Sequence, residues 1–208
     1  MTDRHTQLLY FYCVASCLAA AFFVVRLLNE EQQDKERIGR KYRDRSYLVK
    51  NIIPDTTVRY WRYVDKVSNM IIREAGDKST LSAYTIEDPN KGFFDNGHMV
   101  VSYSYIVYAD SSGLHYVSDK DSFQKFIGHV DNISEAILIG MAEGLSIDTR
   151  NKKGGSYIAT KFGYAMKLLK YNNCPETFES ILFSIKYNGD FQIKSDRVYS
   201  RTGDCIQF

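Results

Sequence analysis

The run Ile181-Leu182-Phe183-Ser184-Ile185-Lys186-Tyr187-Asn188-Gly189-Asp190-Phe191-Gln192-Ile193 decides the fold. Ile181, Phe183, Ile185 and Tyr187 recur at a period of two, Asn188-Gly189 follows, and Phe191 and Ile193 resume the alternation. A period of two places these apolar side chains on one face of a strand. Asn-Gly between two such runs is the preferred two-residue hairpin turn.

Working toward the N-terminus, Ile158, Phe162, Tyr164, Met166 and Leu168 alternate through Ser156–Lys170. This strand is entered through a hairpin loop at Arg150-Asn151-Lys152-Lys153-Gly154-Gly155. Ile133–Asp148 fits a helix to Met141 or a strand over Ala136–Asp148 with bulges at Gly140 or Gly144. The strand is preferred because it leads directly into that loop. Asp119 to Val130 reads as a helix with Phe123, Phe126, Ile127 and Val130 toward the core. Leu114–Val117 is a short strand behind the turn Asp110-Ser111-Ser112-Gly113. His98–Tyr108 is a stronger strand, with Met99, Val101, Tyr103, Tyr105 and Val107 on one face. Leu81–Glu87 is a further strand, closed by Asp88-Pro89-Asn90-Lys91-Gly92. Before it, Pro54-Asp55-Thr56-Thr57 marks a helix start. Val58, Trp61, Val64, Val67 (or Ser68) and Ile71 follow at three- and four-residue steps up to Gly76, which predicts an amphipathic helix with Trp61 deepest in the core.

Composition agrees with a sheet-rich domain: 16 Tyr and 12 Phe stand against 3 Pro in 208 residues, and aromatic side chains suit a pleated, half-buried surface. A net charge of +2, with no basic block beyond residue 50, leaves no electrostatic footprint for nucleic acid. The expected fold is α+β: an N-terminal transmembrane helix and polar helical stalk, then a helix packed on an antiparallel β meander.

Gln7 to Val25 is nineteen residues without a charge, roughly 28 Å of helix and close to the hydrocarbon thickness of a bilayer. Nine are Leu, Phe or Val, which alone favour insertion by roughly 3–5 kcal/mol. The predicted organisation is a short tail over 1–7, a transmembrane helix over 8–28, a charged helical stalk over 29–53 and a soluble α+β domain over 54–208. Glu31/Lys35 and Glu36/Arg40 are spaced for i,i+4 pairing in that stalk. Val14-Ala15-Ser16-Cys17 fits a lipobox, yet the apolar run continues past Cys17, so an uncleaved anchor is preferred. Orientation is contested. Seven Lys/Arg between Arg26 and Arg45 favour a cytoplasmic domain under the positive-inside rule. A very short tail before an apolar helix favours export, and the latter is adopted: a single-pass protein of a bacterial inner membrane with a periplasmic domain.

Cys13 and Cys17 lie one helical turn apart within the span, whereas Cys174 and Cys205 sit in turn-like surroundings and suit a disulfide outside the membrane. His5, His98, His115 and His129 lack metal-ligand spacing, so no metal or other cofactor is expected. Lys152-Lys153-Gly154-Gly155 lacks the spacing of a phosphate-cradling loop, and no Gly-x-Ser-x-Gly is present. The expectation is a non-enzymatic protein whose partners are the bilayer, through residues 8–28, and other membrane or envelope proteins, or further copies of itself. In outline this resembles the bitopic assembly factors of conjugation, secretion and pilus machines; the likeness is architectural and carries no motif residue. Such a resemblance implies a scaffold or assembly component. The rival expectation is a membrane-anchored ligand-sensing module, with Tyr103, Tyr105, Phe162 and Tyr164 lining a pocket or an interaction face.

Overall fold

A computed structural model describes residues 35–54, 57–94, 102–203 and 205. The expected membrane span and the first part of the stalk lie outside the described residues, as does His98. Among the described residues no helix is long and apolar enough to cross a membrane. The chain divides into one unit over Met1–Lys35 and a second over Glu36–Phe208.

The second unit is α+β, built on two antiparallel sheets. Strands β1 (Glu36–Arg37), β6 (Gly155–Thr160), β7 (Gly163–Asn173), β8 (Glu176–Lys186) and β9 (Phe191–Arg201) lie side by side in that order. The smaller sheet has the order β3 (Met70–Gly76), β2 (Tyr60–Asp65), β4 (Ser104–Ala109), β5 (Leu114–Val117). Among the described residues three α-helices complete the unit: α1 (Arg45–Val49), α2 (Lys120–Ile127) and α3 (Ile133–Ala142). One core joins both sheets, with Trp61, Tyr63 and Ile106 from the smaller, Met166, Leu168 and Phe183 from the larger, and Phe123, Phe126 and Ile137 from the helices.

The final hairpin is as expected, with Ile181, Phe183 and Ile185 buried. Its loop is one residue longer than the two-residue turn predicted. Gly189 N–H bonds to Lys186 C=O at 3.0 Å and Lys186 N–H to Asp190 C=O at 2.8 Å. Gly189 (φ 86) takes the left-handed position that closes this three-residue loop. The α2 helix also forms as read, opened by an Asp119–Ser122 capping box, with Phe123, Phe126, Ile127 and Val130 all buried. β5 matches its predicted bounds.

Four elements differ from expectation. Val58–Gly76 is a β hairpin, not a helix: β2 pairs with both β3 and β4, which makes it an inner strand, and apolar residues pack on each of its faces. Trp61 and Tyr63 enter the main core, while Tyr60 and Val64 enter smaller clusters on the other side. That double burial mimics a helical three-and-four spacing. Ile133–Asp148 holds a helix rather than a strand. Every residue from Ser134 to Gly140 is buried, so α3 has no polar stripe to betray its period. A Cβ on Gly140 would come within 2.7 Å of Leu168 Cδ1, and its absence lets the helix lie close on β7. Ser156–Lys170 is two strands turning at Lys161-Phe162. Leu81–Glu87 is no strand but a 3-10 turn running into a loop.

The described end of the expected stalk is part of the folded body. Glu36–Arg37 pairs with Ser156–Tyr157, a 3-10 turn follows over Arg40–Arg43, and Ile38, Leu48, Val49 and Ile52 are fully buried. Apolar burial outweighs the charge density of the surrounding residues. Glu36 is therefore not paired with Arg40 on a helix; its carboxylate accepts from the Tyr157 hydroxyl at 3.1 Å.

Candidate functional site

The β2–β3 hairpin ends in an apolar tip on an edge strand. Asp65 builds the turn: its carboxylate accepts from Ser68 N–H at 3.1 Å and Ser68 Oγ at 2.6 Å, and Asn69 adopts a left-handed φ of 52°. Short polar side chains suit such a turn. Lys66 is held by an ion pair with Asp88. On β3, Tyr63↔Arg73 is followed by Val64↔Ile71, so Ile72 is an extra, bulged residue. The bulge sends Ile72 toward the main core and leaves Val67, Met70 and Ile71 at 58%, 58% and 43% exposure. Three large apolar side chains within five residues, at the turn and on a strand that among the described residues pairs along one side, are the kind of surface that partners cover.

The predicted aromatics fall in separate places. Tyr103 and Tyr105 are together, ring centroids 6.4 Å apart, buried with Val64 and Val107 under the loop carrying Ile86. Their hydroxyls are committed, Tyr103 donating to Pro89 C=O and Tyr105 to Asp88. Burial and the Asp88 carboxylate raise the Tyr105 phenol, so it remains a donor. Phe162 and Tyr164 belong to the larger sheet. Phe162 is 60% exposed at the β6–β7 turn, beneath the Lys161 ammonium, and Tyr164 packs on the main core against Tyr187.

One cluster has the composition of a hydrolytic triad without its geometry. Ser112 Oγ and Asp110 Oδ1 lie 2.9 and 3.0 Å from the same nitrogen, His115 Nε2. A relay needs the serine and the carboxylate on opposite ring nitrogens. Asp110 Oδ1 also accepts from Ser112 Oγ at 2.7 Å, Ser112 N–H at 2.7 Å and Gly113 N–H at 3.2 Å. These bonds, led by those from Ser112, hold its carboxyl at about 2. The arrangement closes the β4–β5 turn.

Glu135 is a buried structural acid that the sequence reading passed over. Its Oε1 accepts from Ile53 N–H at 2.7 Å, and its Oε2 from Asp131 and Asn132 N–H at 2.7 and 3.3 Å. It thereby caps α3 and fastens the segment following α1 to that helix. Burial pushes the carboxyl up to about 7 against the pull of the three amides. The signal was present: Asn132 followed three residues later by Glu135 is a capping-box pattern.

Cys174 and Cys205 are joined in a disulfide linking the β7–β8 turn to the segment after β9, across 31 residues of sequence. Among the described residues no group of three or more His, Cys, Asp or Glu is placed to hold a metal. The described residues line surface clefts. One, of about 520 Å³, lies between α2 and the β8–β9 loop, where Gln124 Nε2 donates to Gly189 C=O at 2.9 Å. Another, of about 620 Å³, lies beside 147–151. Comparison with protein families, curated proteins and solved structures finds no match to this chain.

Proposed function

We propose that this chain is a non-enzymatic, single-span membrane protein whose α+β body is an interaction module, a scaffold or assembly component of a bacterial envelope machine for secretion, conjugation or pilus assembly. The observation that carries this reading is the apolar tip of the β2–β3 hairpin, where Val67 in the turn and Met70 and Ile71 on the edge strand stand exposed. A partner protein buries these side chains and extends the sheet along β3, a recurring mode of recognition between proteins. The Cys174–Cys205 disulfide supports a body on the oxidising, periplasmic side of the inner membrane.

The test uses the full chain extracted from membranes in mild detergent. Wild type is expected to migrate in a complex with other membrane proteins or with its own copies. Met70→Asp combined with Ile71→Asp is expected to release it to its own mass at an unchanged melting temperature. Migration alone in the wild type, or a complex indifferent to both substitutions, would sink the reading.

A further inference from the structure

The cleft beside residues 147–151 is a basic site with an apolar floor. That segment stands against β7, β8 and β9, and the cleft between them holds about 620 Å³, within the range of small-molecule pockets. Leu169 and Phe178 supply apolar lining, and Arg43 and Arg150 stand among its polar residues.

Its charge depends on Asp148, the one acid among the described residues that line it. Asp148 Oδ1 accepts the Arg150 and Asn151 N–H groups at 2.9 and 3.1 Å, and Oδ2 accepts the Tyr199 hydroxyl at 3.0 Å. Burial together with that carboxylate raises the Tyr199 phenol, which stays the donor. Tyr199 reaches Asp148 from a bulge in β9: Glu179↔Val198 is followed by Phe178↔Ser200, leaving Tyr199 as the extra residue. Bulges re-aim side chains in this way. Both carboxylate oxygens are thus occupied within the chain. Arg43 and Arg150 are exposed, and neither forms an ion pair with a described residue. The cleft therefore offers two guanidinium groups, whose planar forks match phosphate and carboxylate oxygens.

We propose that this cleft binds a small organic anion, a phosphate or carboxylate borne on an apolar or aromatic body. The arginines take the anionic head, and Phe178 and Leu169 take the body. This site is remote in sequence from the β2–β3 hairpin and stands or falls independently of docking there.

The test is isothermal titration calorimetry on the full chain in detergent, with phenyl phosphate, benzoate, inorganic phosphate and benzyl alcohol as probes. Phenyl phosphate or benzoate is expected to bind saturably and more tightly than inorganic phosphate or benzyl alcohol. Arg43→Ala and Arg150→Ala are each expected to weaken that binding about tenfold or more. Lys125→Ala, in the other cleft, should leave it unchanged. Melting temperatures equal to wild type show that the variants are folded. Absence of saturable binding by both aromatic anions, equal binding of benzyl alcohol, or wild-type affinity in both arginine variants overturns the proposal. Inorganic phosphate binding as tightly as phenyl phosphate overturns the role given to Phe178 and Leu169.

Discussion

Glu135 shows how one side chain sets a response to pH. Its carboxyl titrates near 4.5 in the unfolded chain and at about 7 in the fold, because burial penalises the charged form. Between those values the folded protein keeps a proton that the unfolded chain has released. This contribution to stability is therefore greatest below pH 4.5, declines as pH rises toward 7 and levels off above it. Denaturant midpoints across pH 4 to 8 are expected to show a loss on the order of 2–3 kcal/mol from this residue. In Glu135→Gln that slope disappears. The variant is also less stable by about 1–3 kcal/mol, since its amide NH₂ turns toward backbone donors. A Glu135→Gln protein with the wild-type pH slope would refute the assignment. Glu135 was legible as a helix cap from Asn132 three residues before it, but its reach to Ile53 N–H joins residues 82 apart, and no local pattern encodes that.

At the scale of elements, legibility followed the exposure of each face. α2 has one buried and one wet side, and its period stands in the sequence. α3 is buried from Ser134 to Gly140 and lost the contrast that periodicity needs. β2 carries apolar residues on both faces, and the bulge at Ile72 breaks the alternation of β3, so a hairpin passed for a helix. The turn pair Ser68-Asn69 was the available correction. The tip residues Val67, Met70 and Ile71 became visible as a candidate site only once that hairpin was folded, and Arg43 and Arg150 only once distant segments met. The disulfide was legible because Cys174 and Cys205 both lay in turn-like sequence. Cys174→Ser with Cys205→Ser is expected to lower unfolding stability by about 3–4 kcal/mol through the freed loop of the denatured chain. Chemical denaturation checks this, and a change within error would show that β8–β9 pairing already fixes the segment.

For the whole molecule, the proposed single-span reading makes a prediction about topology. A reporter active only in the periplasm, fused after Phe208, is expected to be active, and a reporter confined to cytoplasmic function silent. The reverse pattern would place the disulfide in a reducing compartment and remove the case for an envelope scaffold. The sheet edges differ in character. Along β9 the regular spacing of N–H and C=O groups is interrupted at Asp196 and Tyr199, and Lys194, Arg197 and Arg201 lie on the same strand. A neighbouring copy colliding with that border finds neither a matched ladder nor a neutral surface. Bulges and charge along one border thus act as a guard against fibre-like stacking of copies through that side.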